Sequence, residues 1–185
     1  MAEPKAAAAE EPEDRDLVVL SKRGDRAAFA TLVQRYQRRV FALGLRYFRN
    51  DADADDLVQE TFLRAWRALD RFEEDRPLAP WLFRIAANWA LTQIEGRKRR
   101  PSEELTDEHH WQGPSPEEHT DASRLRREVN RALSELPEDQ RVVLHLRAAE
   151  GLSYREIADT LDVPIGTVMS RLGRARETMR RKVKR

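Results

Sequence analysis

Thr167, Ser170, Arg171 and Arg174 recur every three or four residues near the end of the chain, opposite Val168, Leu172, Ala175 and Met179. A row of hydroxyls and guanidinium groups is a surface for binding rather than for bond-breaking. An arginine fork donates two hydrogen bonds to guanine O6 and N7, worth roughly 1–3 kcal/mol of discrimination between bases. Thr167, at the start of its helix, offers a hydroxyl and a backbone N–H to a phosphate, a contact that positions without specifying. Seven of the last twelve residues are Lys or Arg, which adds affinity that weakens with salt. No nucleophile–base pair, phosphate-cradling glycine loop or plausible metal set accompanies this row. His109, His110 and His119 fall in a Pro-rich stretch without a cysteine, a poor metal site. The expectation is recognition, with no enzyme activity and no cofactor.

The elements that must position this row are legible just upstream. Ser153 and Glu156 have the S-x-x-E spacing in which two backbone N–H groups of a helix start are satisfied reciprocally. The short helix they begin buries Ile157, Ala158 and Leu161. Asp162-Val163-Pro164 turns the chain, and proline is tolerated at the first position of the next helix. Two helices so joined form a helix-turn-helix, whose second helix fits the major groove of B-DNA. Before them, Leu125, Val129, Ala132 and Leu136 form one apolar stripe ending at Pro137. Val142, Val143, Leu146 and Ala149 form another, with Gly151 as the C-cap.

The first half also reads as helix. Phe29, Leu32, Val33 and Tyr36 share a face that Val40, Phe41, Gly44, Tyr47 and Phe48 extend, with Gly44 permitting a close crossing. Asn50 and Asp51 punctuate. Leu57, Phe62, Ala65 and Leu69 mark a second helix opening on acids that complement its N-terminal dipole. A third, WLFRIAANWALTQI, buries Leu82, Ile85, Ala86 and Trp89 and ends at Gly96, just before the basic run 97–100.

The fold class expected is all-α, in two small helical domains. An acidic disordered tail spans 1–15, the first domain 16–100, a flexible acidic linker 101–120 and the second domain 121–185. The net charge of +1 conceals strong segregation: about +6 in each helical block, −4 in the first sixteen residues and −7 between Pro101 and Asp121. Two basic blocks joined by an acidic strap suit a partner that is polyanionic in two places. No run reaches the roughly 18–20 apolar residues of a membrane span. The acidic N-terminus is unlike a secretory signal, and zero cysteines exclude disulfides, so cytoplasm is the expected compartment with no membrane insertion.

The stretches DADADDLVQETFLRAWRALDRF, PWLFRIAANWALTQIEGRKRR and LPEDQRVVLHLRAAEGLSYREIADTLDVPIGTVMSRLGRAR occur in this order. Together they resemble the extracytoplasmic-function (ECF) sigma factors, two-domain specificity subunits of bacterial RNA polymerase. LVQRYQ and RALDRF look nearest to the envelope-stress type. The resemblance covers about residues 16–100 and 121–180 and implies sigma regions 2 and 4. It implies that Asp55, Asp56, Gln59 and Glu60 dock on the clamp helices of the polymerase β′ subunit, with the β subunit a further contact. A carboxylate pair and an amide on an open helix face suit such an arginine-bearing partner. It implies that Asn88 takes a base flipped from the −10 element, beside the loop 70–80. Arg84, Arg97, Lys98, Arg99 and Arg100 would hold the single strand's phosphates. Trp81 and Trp89 have two readings, base stacking or core. At −35 the readers of the duplex would be Thr167, Ser170, Arg171, Arg174 and, toward phosphate, Arg176. An anti-sigma factor is the implied regulator.

The sequence departs from the family pattern in three places. Met169 stands where Arg is common, Gly173 where an aromatic or His is common, and Gln93 where Asp is common. The first two shift −35 readout toward Ser170, Arg171 and Arg174. The acidic linker either follows the polymerase's RNA-exit path or is a solvated tether. A stand-alone helix-turn-helix regulator is the main rival reading, and it predicts specific DNA binding without polymerase. An enzyme carrying a DNA-binding tail would need a catalytic constellation, which the chain lacks.

Overall fold

A computed structural model describes residues 12–99 and 121–183. Within them the chain forms α1 (Asp14–Lys22), α2 (Arg26–Phe48), α3 (Asp51–Ala68), a 3-10 turn (Leu69–Arg71) and α4 (Leu78–Lys98). After the linker come α5 (Asp121–Ser134), α6 (Glu138–Ala148), α7 (Tyr154–Leu161) and α8 (Ile165–Val183). The all-α expectation holds. The linker 101–120, Arg100 and residues 1–11 of the tail lie outside the described residues. Asp14 and Arg15, expected in the tail, instead begin α1: the Asp14 carboxylate accepts hydrogen bonds from Arg35 and Tyr36 of α2.

In the first half, caps and one tight crossing set the frame. Asp25 accepts hydrogen bonds from the Ala27 and Ala28 backbone N–H groups, and Asn50 accepts one from Asp53, satisfying helix-start donors of α2 and α3. Gly44 is where α2 and α3 approach most closely. A Cβ there would sit 2.9 Å from Ala54 Cα and 3.1 Å from Leu57 Cδ2, so the crossing needs glycine. Leu57, Phe62, Ala65 and Leu69 are buried as the spacing predicts.

α4 departs from its single-stripe reading. It packs against α2, α3 and α7, and Leu82, Phe83, Ala86, Ala87 and Ala90 are all buried, whereas Ile85 and Trp89 are only partly covered. A helix apolar over half its circumference needs cover on two sides. The second side is the other half of the chain. Gly96 does not end α4, which runs on to Lys98.

In the second half, Ser153 and Glu156 form the capping box as expected. Val168, Leu172 and Ala175 of α8 are buried, and α5, α6 and α7 all pack on it. Leu125, expected on the core stripe of α5, is instead 53% exposed. It stands about two turns before Ala132 and about three before Leu136, where the buried part of α5 lies. Gly151, expected to be the C-cap of α6, is not: the cap is Ala149, whose N–H donates to the His145 carbonyl. Gly151 takes the left-handed φ of +72° two residues later, in the connection to α7.

The two halves are docked rather than held apart. One apolar core runs from Leu17 to Leu172 through both. Arg141 of α6, almost fully buried, donates from Nε to the Arg46 carbonyl at 2.7 Å and from Nη1 to the Leu136 carbonyl at 3.0 Å. The first bond satisfies one of the orphan carbonyls in the last turn of α2, so one half caps a helix of the other. Burial, with Arg49 adding repulsion, pulls the Arg141 guanidinium down to about 10. Nearby, Arg39 of α2 donates from Nε to Glu150 Oε2 at 2.7 Å while lying over the Tyr36 and Phe83 rings.

Candidate functional site

Three polar faces remain open on this docked molecule. The first is on α3. Its N-terminal turn sits on the Asn50 cap, and Leu57 holds its inner face, which leaves Asp55, Asp56 and Gln59 exposed outward. Glu60 is half-buried and accepts a hydrogen bond from Arg64 Nε one turn on, at 2.6 Å. Beside Gln59 lies a cleft of about 520 Å3 lined by Arg26, Phe29, Phe62, Leu63 and Trp66. Leu63 is 51% and Trp66 39% exposed, although Phe29 stacks edge-on to the Trp66 ring at 4.8 Å. This apolar half of the face went unnoticed in the sequence. Its signal was there, as two large apolar residues i, i+3 outside the stripe that buries Phe62 and Ala65.

Another acid of that helix start, Asp53, has a different role. Asp53 is turned inward and accepts a two-pronged ion pair from Arg97 of α4, whose guanidinium also lies over the Phe48 ring. The Arg97 hydrogen bond outweighs partial burial and holds the Asp53 carboxyl below the usual range. Arg97, expected on the nucleic-acid face, is therefore committed to joining α4 to α3.

The second face is on α4. Arg84 and Asn88, one turn apart, are both exposed. The Asn88 carbonyl accepts from the Thr92 hydroxyl at 2.8 Å, while neither the Arg84 nor the Asn88 side chain has an ion-pair or hydrogen-bond partner among the described residues. Lys98 and Arg99 are exposed at the end of the same helix. Trp89 packs edge-on to Phe48 at 5.9 Å and Trp81 against Phe72 at 4.7 Å, so both rings serve the core while staying partly open. The loop 70–80 is pinned by Lys22, whose Nζ donates to the Phe72 carbonyl at 2.7 Å and to Glu74. Its concavity, about 540 Å3, opens toward α1 and is lined by Asp14, Arg15, Arg35 and Tyr36 as well as loop residues. Asn88 is not on its wall.

The third face is on α8, and the structure redraws its membership. Ser170 and Arg174 are exposed, with the Arg174 guanidinium leaning back over Ser170. Arg176 is exposed and reaches the Tyr154 hydroxyl at 3.3 Å. Arg171, predicted on the same stripe, turns sideways: its Nε is 3.0 Å from Asp139 of α6, and three quarters of its side chain is covered. The Thr167 N–H is likewise unavailable to a phosphate, because it donates to the Pro164 carbonyl at 2.8 Å. Its hydroxyl remains. The solvent-facing row is thus Gly166, Met169, Ser170, Gly173, Arg174 and Arg176. Among the described residues no group of acids and histidines could hold a metal ion, and no helix is long and apolar enough to cross a membrane.

Residues 32–100 match the sigma-70 region 2 family and residues 126–179 the sigma-70 region 4 family. The chain is 42% identical over 180 residues to the ECF RNA polymerase sigma-E factor of Escherichia coli K12, covering 92% of this chain and 94% of that one. It is 38% identical to the RNA polymerase sigma-H factor of Pseudomonas aeruginosa over 90% of this chain and 92% of the other. The fold is similar to the sigma factor RpoE of Bartonella quintana, solved in complex with the anti-sigma factor NepR. The TM-score is 0.71 at 30% identity, over 84% of this chain and 96% of that one. It is also similar to CnrH in complex with the cytosolic domain of CnrY, with a TM-score of 0.62 at 32% identity over 90% and 94% of the two chains.

Proposed function

The chain belongs to the ECF sigma factors of the sigma-70 family, and from that premise we propose how its three open faces divide the work at a promoter. As a sigma factor it is not an enzyme; it directs RNA polymerase to promoters, where transcription begins. Asp55, Asp56 and Gln59, together with the apolar cleft at Leu63 and Trp66, dock on the β′ clamp helices. A polar row beside an apolar groove gives both register and buried area, the two requirements of a specific protein interface.

The α4 face captures the melted −10 strand. Asn88 carries this reading: on a helix buried over half its circumference, it presents an exposed side-chain amide, both donor and acceptor, with no partner among the described residues. An amide matches a Watson–Crick edge, which is displayed only when strands open. Arg84, Lys98 and Arg99 supply phosphate contacts, and Arg97 contributes by holding α4 on α3. The α8 face reads the −35 duplex through Ser170, Arg174 and Arg176. Arg171 acts indirectly, by fixing α8 on α6. Because the factor binds melted DNA more tightly than closed DNA, it shifts the equilibrium toward the opened promoter. The factor acts in the cytoplasm, and an anti-sigma factor that covers these faces is its regulator, in keeping with the partners of the two structural relatives.

The test is transcription by core polymerase with this chain on a matched promoter. Asn88→Ala lowers open-complex formation at least tenfold while sparing duplex binding, and Arg174→Ala weakens −35 selection without changing melting. Full open-complex formation by Asn88→Ala refutes the −10 assignment. Specific promoter binding by the chain without polymerase favours the rival stand-alone regulator.

A further inference from the structure

The open face of α8 carries two large apolar side chains that the other described residues leave uncovered. Ile165 is 50% and Met169 55% exposed, standing at i and i+4. Gly173 continues the row one turn on. Neither packing nor backbone asks for glycine there: a Cβ would meet nothing within 4 Å and φ is ordinary. In a helix interior glycine is less favourable than alanine by roughly 0.5–1 kcal/mol. Residues that weaken the isolated helix and expose apolar area suit a face completed by a ligand that approaches the backbone closely.

The neighbours of this row say what that ligand is. Ser170 and Arg174 flank Met169 and Gly173, and Arg176, Arg180 and Arg181 follow on the exposed surface. Glu177, one turn past Gly173, is the acid among them, and Lys182 is paired with Glu135, so the surroundings of the apolar row are on balance cationic. A basic helix face with an apolar row in its middle fits the major groove of duplex DNA, which displays one apolar feature, the C5-methyl group of thymine.

We propose that Met169 is a specificity-determining residue that packs its thioether end on the C5-methyl of a thymine in the −35 element, with Gly173 leaving room for the backbone to approach. This deepens the reading of α8 as the −35 helix and rests on it. Hydrogen-bonding side chains cannot see that methyl group, since thymine and uracil offer the same donors and acceptors. Met169 supplies a flexible, polarisable contact that adapts to the groove.

The experiment uses holoenzyme assembled from core polymerase and the full chain. A −35 library first gives the preferred element; each thymine in it is then replaced singly by deoxyuridine, and binding is compared. One replacement should weaken binding by wild type roughly fourfold, the loss expected for one buried methyl. Met169→Ala should bind thymine and uracil alike, Met169→Leu should keep the discrimination, and Arg174→Ala should bind more weakly overall yet still discriminate. Alanine favours helix, so the first variant keeps its fold. If wild type is indifferent to every uracil, or Met169→Ala discriminates as wild type does, the inference is overturned, and the row belongs to a protein partner instead. If the holoenzyme shows no −35 preference at all, the reading of α8 beneath it fails first, and the inference falls with it.

Discussion

Among single residues, Arg97 shows how charge can mislead. In sequence it opens a basic run and reads as a phosphate contact, but its fork grips Asp53 across 44 residues. The Asp53 carboxyl is held below its ordinary range by that hydrogen bond, so the pair contributes stability that depends on pH. A depressed folded value means the contribution is complete above the unfolded carboxylate value of about 3.9 and is lost as pH falls through the lower folded one. The Arg97 side chain is 41% exposed, and solvent screening limits the pair to about 1 kcal/mol even with two-pronged geometry. Arg97→Ala should therefore destabilise by about that much at pH 7, measured by urea unfolding, with the gap to wild type closing below about pH 4. A gap unchanged at pH 3 would mean that the loss comes from the Phe48 contact instead.

Pairs of elements depend on how closely they cross. Gly44 lets α2 and α3 meet with Ala54 Cα almost touching the place of a Cβ. The obstruction is backbone, which cannot rotate away, so Gly44→Ala must push the helices apart and disturb the α3 face that presents Asp55 and Gln59. An overpacked contact costs roughly 1–3 kcal/mol, more than the helix propensity alanine would gain. Thermal melting should fall accordingly, and affinity for core polymerase should fall with it. A variant that melts at the wild-type temperature would show that the crossing has slack. α8 teaches the converse: its buried stripe followed from spacing, but which flank residues face outward was set by Asp139, which draws Arg171 aside.

For the whole molecule the decisive fact is that the two halves touch. Glu150, with 4% of its side chain exposed, accepts from Arg39, and His145 Nε2 lies 3.4 Å from its other oxygen. Burial raises the Glu150 carboxyl, but the His145 and Arg39 groups outweigh it and hold it below the usual range. A compact chain of this length has a radius of gyration of about 16 Å. Promoter elements at −10 and −35 lie about 25 base pairs apart, or roughly 85 Å at 3.4 Å per pair. The docked form is too short to span that distance, so the proposed roles of the α4 and α8 faces require the α4–α7 and α2–α6 contacts to part on the promoter. With no native cysteine, Gln34→Cys and Glu177→Cys give two exposed labelling sites, one on each half. Energy transfer between dyes there should be high in the free chain and drop on assembly with polymerase and promoter. Glu150→Ala, which strands Arg39, should lower it already in the free chain. Unchanged transfer on assembly would contradict the required opening.

The sequence by itself determined most of the helices, the Ser153–Glu156 capping box and the order of the two regions, because periodicity and capping act over a few residues. It did not show α1 or its Asp14 anchor, whose partners lie on α2. It did set Asn88 and the Asp55–Gln59 row outward, since polar residues off an apolar stripe face outward by default, but it was the family resemblance that singled out Asn88. What only the tertiary structure decided are the partners of long side chains and the fate of second apolar faces. Arg97 and Arg171 each carry a charge on a flexible stem, and which carboxylate they meet depends on helices far away in sequence. α4 is apolar on two sides, but no local pattern says that the second side is covered by α7 of its own chain. Local spacing fixes which way a residue points; only the assembled chain fixes what it finds there.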